Sequence, residues 1–114
     1  MTYDLVYTER AIRELNAAAD YVAQFAPETA ERWFNGFVAV LETLRRDAMI
    51  YGPAPESDFC SVDVRQFIYR TKSRRANRAL YTIRQTSVYI LTIRRPGQDL
   101  LTEDELRQSI AQLD

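Results

Sequence analysis

The strongest constraint on this chain is a change of apolar period near its middle. Between Glu9 and Arg46 apolar residues recur every three or four positions, whereas from Val62 to Arg95 they fall in runs rich in Val, Ile, Tyr, Phe and Thr. The first pattern is helical and the second is that of strands. Ala11, Ile12, Leu15, Ala18, Ala19, Val22 and Phe25 form one stripe on a helix from about Glu9 to Phe25, with Thr8 placed to cap it. Ala26-Pro27 ends that helix, because proline disfavours helix in the residue before it yet fits a first helical turn. Ala30, Trp33, Phe34, Phe37, Val38, Leu41 and Leu44 stripe the next helix. Glu28 and Glu31 at its start and Arg45-Arg46 at its end complement the helix dipole. Residues 9 to 46 therefore predict an antiparallel helical hairpin with one apolar face that it cannot bury alone.

The sheet that buries it must come from the rest of the chain. Tyr3 to Tyr7 alternates as a short strand. After a proline- and glycine-bearing loop over 47–61, three strands are expected at Val62 to Arg70, Asn77 to Gln85 and Ser87 to Arg95. A tight turn near Gln85-Thr86-Ser87 makes the last two an antiparallel hairpin. Thr102 and Glu105 form a capping box ahead of Leu106, Ile110 and Leu113, predicting a short C-terminal helix. The order β-α-α-β-β-β-α reads as an α+β fold: a helical hairpin on one face of a small antiparallel sheet. With Tyr81 facing the helices, Arg78 and Arg84 face away, and a core-facing Tyr89-Leu91-Ile93 row sends Arg94 outward too. The far face is then expected to be uncovered and cationic.

Charge gives that face its interest. From Val64 to Gln98 there is no Asp or Glu, yet Arg65, Arg70, Lys72, Arg74, Arg75, Arg78, Arg84, Arg94 and Arg95 all lie there. These are nine of the 15 basic residues; the rest of the chain sets the other six against all 16 acidic ones. Like charges so concentrated repel and call for a compensating partner. An internal partner would come from Glu9, Glu14, Asp20 or Glu42. An external one would be a phosphate backbone or an acidic protein segment.

Several classes are excluded. The 114 residues, 46% of them apolar, suit one domain with a real core. No apolar run reaches the roughly 18 residues of a membrane span, and the N-terminus lacks a signal-peptide pattern, so no membrane association and a cytoplasmic location are expected. There is no histidine, and Cys60 is the sole cysteine, so neither a metal site nor a histidine-based triad is expected. Gly36, Gly52 and Gly97 are the only glycines and form no phosphate-binding loop, so no cofactor is expected.

The strand followed by TERAIREL, then ETAERWFNGFVAVLETL, YGPAPES, VRQFIY, RALYTI and VYILTIR, in this order and at this length, resembles the RelE/ParE toxin superfamily of bacterial type II toxin–antitoxin systems. Its members are often labelled plasmid stabilisation proteins. The resemblance covers the chain to about Asp99, implying a toxin domain over 1–99 and a separate C-terminal segment over 100–114. It implies a growth inhibitor that a cognate antitoxin neutralises by wrapping it, in a hetero-oligomer. RelE-like members enter the ribosome and cleave messenger RNA; ParE-like members poison DNA gyrase and are not nucleases.

Metal-free RNA cleavage needs a base for the 2′-hydroxyl, a cation for the phosphorane and an acid for the leaving oxygen. By the resemblance, Arg78 stands where RelE-like nucleases carry a phosphate-stabilising arginine, with Arg94 and Arg65 near in the pattern. Proton transfer is harder to supply. Nuclease members often place histidine or tyrosine just after the final strand, where this chain has Arg95-Pro96-Gly97. Arginine is a poor proton shuttle, which leaves Lys72, Tyr69, Tyr81, Glu56 and Asp58, although RelE-like enzymes do work with lysine, arginine and tyrosine. The residues favour a ParE-like toxin that binds rather than cleaves. Arg70, Arg74, Arg75, Arg84 and Arg95 are then the expected contacts with target or antitoxin. The alternatives are a metal-independent endoribonuclease and an inactive binding module of the same fold.

Overall fold

The structure is a computed structural model in which residues 2–70 and 76–113 are described. Strand β1 (Asp4–Tyr7) leads into α1 (Glu9–Phe25) and α2 (Pro27–Glu42), followed by a single turn, α3 (Leu44–Asp47). A 3-10 turn (Pro55–Phe59) precedes β2 (Arg65–Arg70), β3 (Ala76–Arg84) and β4 (Ser87–Arg94), and α4 (Glu103–Ala111) closes the chain. The helix starts follow their local chemistry. The Thr8 hydroxyl accepts the Ala11 amide, Pro27 opens α2, and Thr102 and Glu105 make both bonds of a capping box.

The four strands form one sheet in the order β1-β4-β3-β2. The hairpin pairs are antiparallel, but β1 runs parallel to β4, so the sheet is mixed rather than wholly antiparallel. A parallel pair needs a long crossover, and the helical hairpin supplies it. Against the helices the sheet packs Ala79, Tyr81, Val88, Ile90 and Ile93; α1 and α2 answer with Ala11, Leu15, Phe37 and Leu41. Tyr81 is fully buried and its hydroxyl donates to the Ala48 carbonyl at 2.7 Å, tying the sheet to the end of α3.

Three further expectations are corrected. In β4 it is Val88 and Ile90, not Tyr89 and Leu91, that face the helices. A bulge between Leu80 and Tyr81 pairs Leu80 with Thr92 and Tyr81 with Ile90, passing over Leu91, and so changes the side-chain parity within the strand. The far face is also not bare. Leu80 and Leu91 point into a second cluster with Ala54, Val64, Leu101 and Leu106, roofed by the 53–64 loop and α4. Strand β2 starts three residues later than expected because Val62, Asp63 and Val64 belong to that roof, where the Asp63 carbonyl accepts the Thr82 hydroxyl.

Candidate functional site

Arg78 on β3 and Arg94 on β4 are direct antiparallel partners, so register alone places two guanidinium groups side by side on the roofed face. Their surroundings differ. The 3-10 turn brings Glu56 under the roof, where it is fully buried. Its two oxygens accept Arg78 Nη1 and Nη2 at 3.1 and 2.9 Å, a bidentate fork. Gln66 Oε1 accepts Arg78 Nη1 as well, at 3.0 Å, and the Leu101 amide donates to Glu56 at 3.2 Å. Burial pushes the Glu56 carboxyl up, but the hydrogen bonds from Arg78, from its own backbone and from Leu101 outweigh it, leaving the group below its ordinary value.

Arg94 is buried and has no carboxylate within ion-pair reach among the described residues. One terminal nitrogen donates to the Asp99 carbonyl, and Nε has no partner among the described residues. Burial pulls its pKa below the usual arginine value; Glu14 and Glu105 nearby oppose that, and Arg10 and Arg78 reinforce it. Arg65 donates to the Tyr51 and Met49 carbonyls at 2.6 and 3.2 Å and lies 3.4 Å from Asp63. The three arginines that strand register and resemblance single out for phosphate chemistry are thus held by the chain's own acceptors.

The remaining basic residues divide in two. Arg70 and Arg95 are exposed at strand ends, and Arg84 is half-buried at the β3–β4 turn. Lys72, Arg74 and Arg75 lie outside the described residues. The expected internal acids are mostly engaged elsewhere. Glu14 accepts the Thr92 hydroxyl and the Ile93 amide and pairs with Arg10, which also reaches Glu105 on α4, and Glu42 pairs with Arg45. The neutralising acids are instead Glu56 and Asp63. Glu56 carries a weak signal in sequence: it follows Pro55 in the loop beside the strands, but nothing there marks it as buried.

Among the described residues no ready proton shuttle stands beside Arg78 and Arg94; Lys72 lies outside them. Burial raises the Tyr81 phenol well above the usual range, and its hydroxyl points to Ala48. Tyr69 lies on the helical face, stacked on Phe37 at 4.5 Å, while Asp58 is exposed and Glu56 is locked in the fork. Among the described residues no cluster of His, Cys, Asp and Glu is placed to hold a metal ion, and no helix is long and apolar enough to cross a membrane.

Comparison with known proteins bears on family and fold. The family model for the ParE toxin of the type II toxin–antitoxin system parDE matches residues 5–100, so the match stops just before α4. Among solved structures, a chain of the chromosomal ParDE system from P. aeruginosa superposes with a TM-score of 0.65 at 23% identity. That similarity covers 84% of this chain and 98% of the other, and at this identity it speaks to the fold. Comparison with curated proteins finds no match.

Proposed function

The chain belongs to the ParE toxin family of type II toxin–antitoxin systems, and from that premise we propose that it inhibits bacterial growth by binding DNA gyrase in the cytoplasm, without cleaving nucleic acid. A cognate antitoxin neutralises it. The observation that carries this reading is the Glu56–Arg78 fork. An arginine meant to hold a phosphorane must be free to meet phosphate, and here both of its terminal nitrogens face a buried carboxylate. With no histidine in the chain and the Tyr81 phenol buried and bonded, no free general acid or base stands there among the described residues. A toxin that binds needs neither, only a presented surface, and Arg70 and Arg95 at the strand ends, with Lys72, Arg74 and Arg75 between β2 and β3 in sequence, supply its charge.

The test is a supercoiling assay with purified gyrase, with and without the antitoxin. Dose-dependent loss of supercoiling, restored by antitoxin, is expected. Message 5′ ends are mapped after induction in parallel. Cuts in ribosome-bound messages that disappear on Arg78→Ala would overturn the reading in favour of a RelE-like nuclease. Unimpaired growth on induction would leave an inactive binding module.

A further inference from the structure

Strand β1 forms one outer edge of the sheet. Asp4 and Thr8 give their amides inward, to the Thr86 and Ile90 carbonyls, at 2.8 and 3.1 Å. Strand alternation therefore turns the backbone groups of Tyr3, Leu5 and Tyr7 the other way, outward. The α3 turn covers only the first of these residues: the Tyr3 amide donates to the Arg45 carbonyl at 2.7 Å. Among the described residues no hydrogen bond reaches the outward N–H and C=O groups of Leu5 and Tyr7.

Little at this edge guards it. Natural sheets blunt an open edge with lysine, proline, a bulge or a short strand, and only shortness applies to β1. Tyr3, Leu5 and Tyr7 turn their side chains into the helix-facing core. Alternation leaves Asp4 and Val6 on the opposite face, both exposed, Val6 at 39%. The charges that flank the edge are of both signs. Asp4 and Glu9 are exposed near its two ends, and Arg45 and Arg46 stand on α3 beside Tyr3. Arg45 pairs with Glu42, whereas Glu9 and Arg46 are in no ion pair among the described residues.

We propose that the β1 edge is a homodimer interface, in which the β1 strands of two copies of this chain pair antiparallel about a two-fold axis at Val6. In that register Leu5 of each copy is the hydrogen-bonded partner of Tyr7 of the other, so each open N–H meets an open C=O. Val6 meets Val6 of the second copy at the closer, non-hydrogen-bonded position, where the two exposed side chains cover each other. The same register carries Glu9 opposite Tyr3 of the second copy, next to the turn that holds its free Arg46, and the two-fold repeats that contact. Mixed charge of this kind favours a second copy over other occupants. Asp4, Glu9 and Glu42 repel a wholly acidic segment, and nucleic acid gains nothing from the ladder. The proposal does not depend on gyrase as the target.

Sedimentation velocity on the full chain, over its soluble concentration range, should show a monomer giving way to a dimer. Val6→Lys sets like charges against each other across the axis at an exposed position, and should raise the dimer dissociation constant roughly tenfold or more. Glu9→Arg and Arg46→Glu should each weaken association, and the two together should restore it. In the unaltered protein, hydrogen exchange at the Leu5 and Tyr7 amides should slow as concentration rises. A monomer at every concentration overturns the proposal. So does a dimer that leaves exchange at Leu5 and Tyr7 unchanged, one indifferent to Val6→Lys, or one that the double charge swap does not restore. The exchange measurement decides it even where Val6→Lys fails to fold.

Discussion

Replacing Glu56 by alanine tests whether the fork holds the fold or awaits a substrate. The carboxylate is fully buried and accepts both terminal nitrogens of Arg78 and the Leu101 amide. Its removal strands a guanidinium only 19% exposed, for which Gln66 is the one remaining acceptor among the described residues. Breaking a buried ion pair from one side costs about 3–5 kcal/mol, because the other charge stays desolvated. At this chain length roughly 4 °C of melting temperature is lost per kcal/mol, so a fall of roughly 12–20 °C is expected. Arg78→Met should cost a similar amount by stranding Glu56.

The double variant Glu56→Leu with Arg78→Met is the informative one. With both charges gone, the main residual penalty is the unpaired Leu101 amide, about 1 kcal/mol. The double variant should therefore recover most of the loss, giving a coupling energy of roughly 5–9 kcal/mol in a double-mutant cycle measured by urea denaturation. It should also still inhibit gyrase. Single variants within about 1 kcal/mol of the parent protein, or a double variant as unstable as the sum of the singles, would refute a structural role for the pair. Loss of toxicity in a folded double variant would show that Arg78 is needed for action as well.

Three further outcomes are expected. A Cβ on Gly36 would stand 2.7 Å from the Tyr69 hydroxyl, so Gly36→Ala should destabilise by about 1 kcal/mol in thermal denaturation despite alanine's better helix propensity, and adding Tyr69→Phe should reverse the sign. Gln85 opens the two-residue β3–β4 turn at φ 52°, a conformation that favours glycine, so Gln85→Gly should stabilise by about 0.5–1 kcal/mol by the same measure. Hydrogen bonds from Arg10 and from the Thr102 backbone hold the Glu105 carboxyl down at about 2 against an ordinary 4.5. A depressed carboxyl stabilises fully above its unfolded value, so the tie of α4 to α1 should be intact above pH 4.5 and lost between there and about pH 2. An acid titration should show α4 loosening in that window, with Arg10→Gln removing the effect.

The helices were legible because their signals are local. Thr8, Ala26-Pro27 and the Thr102–Glu105 box each act over a few residues, and the structure uses all of them. The pairing of β1 with β4 was not legible, since nothing in Tyr3 to Tyr7 names its neighbour. The face of β4 was hidden for a different reason. Val88-Tyr89-Ile90-Leu91-Thr92-Ile93 is bulky or apolar at both parities, as suits a strand covered on both sides, and alternation cannot choose a register there. Of the site, the clustering of arginines could be read, but not which of them would be sequestered. That depends on Glu56, brought from outside the positive segment by a turn whose inward direction only packing decides.

The positive segment thus serves two roles that the sequence merges. Arg65, Arg78 and Arg94 act inward: Arg78 and Arg94 tie the roof of the second face, through Glu56 and the Asp99 carbonyl, to the strands beneath, while Arg65, on the Tyr81 side of the sheet, ties β2 to the Met49 and Tyr51 carbonyls. In each place a long side chain with several donors satisfies carbonyls or a carboxylate. Arg70 and Arg95 act outward, at the exposed strand ends. The repulsion expected of nine like charges is therefore relieved in part within the fold, and what an external partner meets is a smaller charge set on the rim. A partner matched to that rim needs an acidic segment of modest charge with apolar residues beside it, and swapping charge at Arg70 should weaken its binding more than swapping charge at Arg65, whose guanidinium already has three acceptors at home.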